Sequence, residues 1–192
     1  MMRTRVASIQ YFIRPVENYA EFQSQVEGLV ETAADYKVRL LVFPEYFTTQ
    51  LLTVLGDVKK PIKEQIRKLA NYEEQFHEMM AKLSAKYNMY IVAGTIPSIA
   101  EDGETIYNRS HVLSPKGNHS YQNKLHMTRF EDEEWLVSSG KSVRIFETDF
   151  CKFAINICYD VEFPEIARVA AKQGAQVIVT PSCTDDRQGF LR

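Results

Sequence analysis

Two unbroken apolar runs, Leu40-Leu41-Val42-Phe43 and Val177-Ile178-Val179, restrict the fold of this chain more than any other feature. A strand with one face in water alternates polar and apolar side chains; a strand covered on both faces does not need to. Both runs therefore predict strands sandwiched between other layers. Pro44 ends the first, with Glu45 next, and Pro181 ends the second.

The segments between them supply the layers. Val6 to Gln10 alternates and predicts a strand. From Glu17 to Tyr36, the positions Phe22, Val26, Leu29, Val30 and Ala33 form a helical stripe. Leu51 to Lys59 reads as a loop or short helix. Glu64 to Tyr87 reads as one helix, burying Ile66, Leu69, Phe76, Met79, Met80 and Leu83. Met89 to Ile96 and Thr105 to Leu113 are strand-like, separated by the turn Glu101-Asp102-Gly103-Glu104. A second turn, Ser114 to Asn118, leads to an extended Tyr121 to His126. Phe130 to Gly140 is mixed and acidic, and Val143 to Phe150 is a strand joined by a short connection to the next one. Strands alternating with helices, with hairpins between, predict a single α/β domain over 1–192 with a mixed sheet.

That next strand leads to the chemistry. Phe153 to Ile157 is apolar and β-favouring; Cys158 follows; Pro164 and Glu165 suit the first turn of a helix that runs to Gly174. Cys158 thus falls at the carboxyl end of a strand, where open α/β sheets place their sites. A nearby helix N-terminus would favour the thiolate. The competing reading is a small buried hydrophobe, the commoner fate of a cysteine.

Charge and cysteine count exclude several classes. The net charge of −2 gives no electrostatic case for nucleic acid or a membrane surface. No apolar run approaches a membrane span, and Arg3, Arg5 and Gln10 interrupt any signal-like N-terminus. Cys151, Cys158 and Cys183 lack paired spacing, which predicts reduced thiols and a cytoplasmic setting. With no C-x-x-C and four scattered histidines, no zinc pattern is present.

If the strands before Glu45 and Cys158 lie parallel in one sheet, a carboxylate and a thiol converge at its edge. The carboxylate could then act as general base for the nucleophile. Lys124, in Tyr121-Gln122-Asn123-Lys124-Leu125-His126, would supply positive charge for an oxyanion if it points inward. The plainer readings are an exposed strand-end charge for Glu45 and a solvated side chain for Lys124.

Phe43-Pro44-Glu45, Lys124-Leu125-His126 and Ile157-Cys158-Tyr159-Asp160, with Phe163-Pro164-Glu165 and Arg168, together resemble the nitrilase (carbon–nitrogen hydrolase) superfamily over the whole chain. The resemblance implies a four-layer αββα sandwich. It implies hydrolysis of nonpeptide C–N bonds in small amides, ureido compounds or nitriles, without a cofactor or metal, by a homo-oligomer such as a dimer. By motif, Cys158 becomes the nucleophile and Glu45 the base. Lys124 and the backbone N–H of Tyr159 become the oxyanion site. A further glutamate is expected; Glu131, Glu133 and Glu134 compete, and Glu133 is preferred for its spacing to Gly140 and its neighbour Trp135. Relatives continue beyond Phe190-Leu191-Arg192 through a further helix and strands, so the C-terminal part is expected to be missing. Two rivals stand beside this reading: a Cys–His thiol enzyme using His126 or His111, and a non-catalytic protein that keeps the fold for interaction.

Overall fold

The computed structural model describes residues 3–56 and 59–184. Residues 57–58 of the expected loop and the chain end at Phe190-Leu191-Arg192 lie outside the described residues. In chain order the elements are β1 (Val6–Ser8), α1 (Tyr19–Asp35), β2 (Leu40–Val42), a 3-10 turn (Phe47–Leu51), α2 (Leu52–Leu55), α3 (Ile62–Ala70), α4 (Glu73–Lys86), β3 (Tyr90–Val92), β4 (Ile96–Ile99), β5 (Ile106–Leu113), β6 (His119–Asn123), α5 (Arg129–Glu133), β7 (Val137–Ser138), β8 (Ile145–Glu147), β9 (Lys152–Ile155), a second 3-10 turn (Cys158–Glu162), α6 (Pro164–Lys172) and β10 (Val177–Val179).

These strands form two sheets, not one. The first is mixed: β1, β2 and β3 run parallel, and β3 pairs antiparallel with the long β5. β4 continues along one edge of β5, while β6 and β7 occupy the other. The second sheet has β9 between a parallel β10 and an antiparallel β8. The apolar run in β2 explains the layering. Leu41, with Ile91 of β3, packs into a core with Phe22, Val26 and Val30 of α1 and Phe76, Met80 and Leu83 of α4. Leu40 and Val42, with Tyr90 and Val92, face the other way onto Phe146, Phe153, Ile155 and Val179 of the second sheet. Period-two alternation therefore divides one apolar strand between two cores. The crossover helix α6 joins the parallel neighbours β9 and β10 and so lies on the side of their sheet away from the first. The expected cover on both faces of β10 is not found: Val179 is buried against the first sheet, but Val177 and Ile178 are exposed, because β10 is an outer strand. The order is helices, sheet, sheet, helix, the expected αββα sandwich.

Two expected elements are divided. The helix over Glu64 to Tyr87 breaks at Asn71-Tyr72, where i→i+3 bonds (Asn71 N to Lys68 O, Tyr72 N to Leu69 O) tighten the chain. The apolar spacing from Leu69 to Phe76 is two helical turns, so periodicity does not reveal the break. The strand over Met89 to Ile96 splits at Gly94, whose φ is +58° and where a Cβ would lie 2.1 Å from the Pro44 carbonyl oxygen. Only glycine fits that approach.

Candidate active site

Glu45 and Cys158 converge, but not along one sheet edge. Glu45 follows β2 of the first sheet and Cys158 follows β9 of the second. The two sheets face each other, and both strands end at the same rim of the sandwich. Lys124 enters from the same sheet as Glu45, just after β6. Its N–H donates to Asn108 O, and its carbonyl accepts from Gly140 N at 2.7 Å. A Cβ on Gly140 would crowd Asn123 O at 2.8 Å, so this backbone-to-backbone approach also requires glycine.

The Lys124 ammonium is almost wholly withdrawn from solvent. It donates to Glu45 Oε1 at 2.8 Å and to Glu131 Oε2 at 2.6 Å. Asn108 lies beneath both carboxylates, its Nδ2 donating to Glu45 Oε1 and to Glu131 Oε1 at 2.9 Å each. The Tyr46 hydroxyl adds a bond to Glu131 Oε1 at 3.0 Å. Glu45 Oε2 accepts from the backbone N–H of Cys183. The Cys158 thiol is within hydrogen-bonding reach of the Glu45 carboxylate, and lies 3.5 Å from the Cys183 carbonyl. Cys158 has φ +47° and Tyr46 has φ +51°. Left-handed backbone at a residue with a side chain costs about 1 to 2 kcal/mol, and such strain collects at functional sites.

Burial and charge set the protonation states. Burial, with the neighbouring Glu131, pushes the Glu45 carboxyl above its ordinary range, against the pull of Lys124. Burial also disfavours the Lys124 ammonium, but Glu45 and Glu131 outweigh it and hold the group charged. For Glu131, burial is overcome by Lys124 and by bonds from Thr128 and Asn108, so its pKa is lowered. The Cys158 thiol is pushed up to about 12 by burial and by the charge of Glu45. This reverses the expected thiolate: the helix that Pro164 begins is separated from Cys158 by a 3-10 turn, while a carboxylate is in contact.

The structure brings Glu45, Lys124 and Cys158 together, with Tyr159 next to Cys158 in the 3-10 turn. It does not bring in Glu133, which lies on the exposed side of α5 and pairs with Arg129. The glutamate in the cluster is Glu131, two residues earlier and 2% exposed. Helical geometry explains the correction: positions 131 and 133 lie on different faces of one helix. Thr128 and Glu131 form a capping box at the start of α5, which presents Glu131 to Lys124. The pattern Thr-x-x-Glu is legible in the sequence and was the available signal. Asn108 was also missed; it occupies a buried position of the alternating β5, where a polar residue marks a site. Of the histidines, His111 pairs with His119 and Glu73, while His126 directs its ring to Asp160 and stacks on Phe163. Among the described residues no group of side chains is arranged to hold a metal ion, and no helix is long and apolar enough to cross a membrane.

Comparison with known proteins gives consistent results. The carbon–nitrogen hydrolase family profile matches residues 5–189. A probable hydrolase, YhcX of Bacillus subtilis, is 42% identical over 98% of this chain, which spans 36% of that protein. The omega-amidase NIT2 of Danio rerio is 32% identical over 94% of this chain and 64% of its own length. The crystal structure of Saccharomyces cerevisiae Nit3, a nitrilase-superfamily member, superposes with a TM-score of 0.80 at 26% identity, covering 98% of this chain and 68% of that one. The chain thus spans less than two thirds of the first two relatives.

Proposed function

The chain belongs to the carbon–nitrogen hydrolase family, and on that premise we propose that it hydrolyses a nonpeptide C–N bond of a small amide, ureido compound or nitrile through a thioester on Cys158. The observation that carries this reading is the buried cluster in which Lys124 is held between Glu45 and Glu131, with the Cys158 thiol against Glu45.

For an amide, Glu45 takes the thiol proton as sulfur attacks the carbonyl carbon. The C=O π pair moves onto oxygen, where the Lys124 ammonium and the backbone N–H of Tyr159 stabilise the oxyanion. Loss of one such donor typically slows a reaction about 100- to 1,000-fold. The oxyanion collapses, the C–N bond breaks and the protonated Glu45 delivers its proton to the departing ammonia or amine. Water then enters, Glu45 removes its proton, and attack on the thioester releases the acid and restores the thiol. One carboxyl serves as base and acid in turn. Its raised pKa suits both roles, because catalytic efficiency is greatest when the pKa lies near the working pH. Glu131 stays ionised and fixes Lys124, so that its positive charge faces the developing oxyanion. The expected dimer finds support in the outer strand β10, which exposes Val177 and Ile178, and in Val169 of α6.

The test is product release from a panel of small amides, ureido acids and nitriles, with Cys158→Ala as control. Ammonia or amine release by the parent protein, absent in the variant, is the expected result. Equal release by both, or turnover lost on replacing His126 yet kept in Glu45→Gln, would overturn it.

A further inference from the structure

Asp160 has no surface in water and no cationic lysine or arginine partner among the described residues. Burying a carboxylate is costly unless hydrogen bonds replace its water. Here they come from the backbone on two sides. Oδ1 accepts from His126 N at 2.7 Å and from Leu125 N at 3.2 Å, while Oδ2 accepts from Ile157 N at 3.0 Å. The His126 ring Nδ1 lies 3.3 Å from Oδ1. Leu125 and His126 directly follow Lys124, just after β6 of the first sheet; Ile157 directly precedes Cys158, just after β9 of the second. One short, fully buried side chain therefore ties the backbone of the ammonium to the backbone of the nucleophile. Stacking repeats the link: His126 lies on Phe163 at 3.7 Å between ring centroids, and Phe163 packs edge-on against Tyr159.

We infer that Asp160 is a positioning residue, which sets Lys124 and the Tyr159 N–H against the Cys158 thiol across the two sheets and holds Cys158 in its left-handed conformation. This rests on the proposed hydrolysis only for its consequence in turnover. The geometric claim is independent of substrate. The physical argument is that effective catalysis needs reacting groups fixed to well under 1 Å, and groups on two different sheets have no shared hydrogen-bond ladder to fix them. A carboxylate accepting from both segments supplies that connection. An amide cannot: the NH2 of asparagine would face a backbone N–H, donor against donor, on one side or the other.

The test is a double-mutant cycle on the Cys158 alkylation rate, with iodoacetamide as probe from pH 7 to 10, and on turnover. Lys124→Ala should slow alkylation, because the ammonium favours the thiolate. Asp160→Asn should slow it by a comparable factor. The double variant should be no slower than Lys124→Ala alone, since both changes remove one arrangement. Turnover should fall about 100-fold in Asp160→Asn with KM changed far less. A wild-type alkylation profile in Asp160→Asn, or effects of the two changes that simply multiply, would overturn the inference. If the parent protein turns over no substrate but the alkylation cycle is non-additive, the proposed function fails and the positioning role stands. Should Asp160→Asn not fold, amide hydrogen exchange in the unaltered protein decides: His126 and Ile157 N–H should be protected to the same degree and open together, and much faster exchange of either one would overturn the link.

Discussion

The carboxylate of Glu131 lies 2.6 Å from the ammonium of Lys124, and both side chains are withdrawn from solvent. Lys124 therefore carries two anionic partners, and with Glu45 as the other the cluster holds one more carboxylate than it has cations. That imbalance contributes to raising Glu45, the member that also touches the thiol.

The first expected outcome separates Glu131 from Glu133. Glu131→Gln should lower turnover about 100-fold or more and cost about 1 to 3 kcal/mol of stability, the loss of charge-assisted hydrogen bonds, since Lys124 keeps Glu45 as its partner. Glu133→Gln should leave both within experimental error. Its pair with Arg129 is an exposed i,i+4 contact of the kind that contributes little. Kinetics and chemical denaturation of the two variants check this; equal behaviour would contradict the placement of Glu131.

The layering was legible because Leu40 to Phe43 has no polar side, which demands cover on both faces. The site was legible because Glu45 and Cys158 each end a strand, and the motifs fix their order. The partition into two sheets was not legible. Local pattern says that β2 and β9 are strands, but pairing partners are set by contacts distant in sequence. The choice of Glu131 over Glu133 turns on which face of a five-residue helix meets Lys124; the capping box carried that information and spacing to Gly140 did not. The thiol's protonation depends on burial and on a carboxylate over a hundred residues away in sequence, so a local argument from the following helix gives the wrong sign.

Gly94 should tolerate no side chain. Alanine there would bring a Cβ to 2.1 Å from Pro44 O and 2.8 Å from the Phe47 ring, on a backbone with φ +58°. Pro44 adjoins Glu45, so relief of the clash moves the base. Gly94→Ala should cost about 3 kcal/mol or more and abolish turnover. Gly28, inside α1 with nothing within 4 Å of a built Cβ, is the contrast: Gly28→Ala should stabilise the fold by up to about 1 kcal/mol. Urea midpoints of the two variants decide it.

With its pKa near 12, Cys158 should rest as a thiol, and its alkylation by iodoacetamide should rise about tenfold per pH unit between pH 7 and 10. Glu45→Gln removes the charge that holds the thiol up. Alkylation at a fixed alkaline pH should therefore become faster while turnover is lost, because the same change removes the base. Mass spectrometry of the Cys158 peptide reads the rate. A plateau near neutral pH in the parent protein would mean a thiolate at rest.

Three of the four histidines meet on one side of the first sheet, far from any pattern in the sequence. His111 Nδ1 lies 2.8 Å from His119 Nε2, and the His77 ring centroid is 4.0 Å from that of His119. Glu73, Glu78 and Arg109 are the charged groups around them. Burial, then His77, His111 and Arg109, push the His119 pKa down to about 4; burial and His111 also lower that of His77. In the unfolded chain both rings titrate near 6.5. Between there and about pH 4 the unfolded state binds protons that the folded state refuses, so stability is fully present above pH 6.5 and falls as pH falls. His119 keeps much of its surface in water, and screening should hold its share to about 1 kcal/mol. His119→Gln should reduce the difference between urea midpoints at pH 7.5 and pH 5. His77→Gln should do the same, and the two changes together should give less than their sum because His77 is one of the groups that depress His119. A parent protein equally stable at both pH values would show that the fold does not hold these rings neutral, and variants as acid-sensitive as the parent would place the acid sensitivity elsewhere.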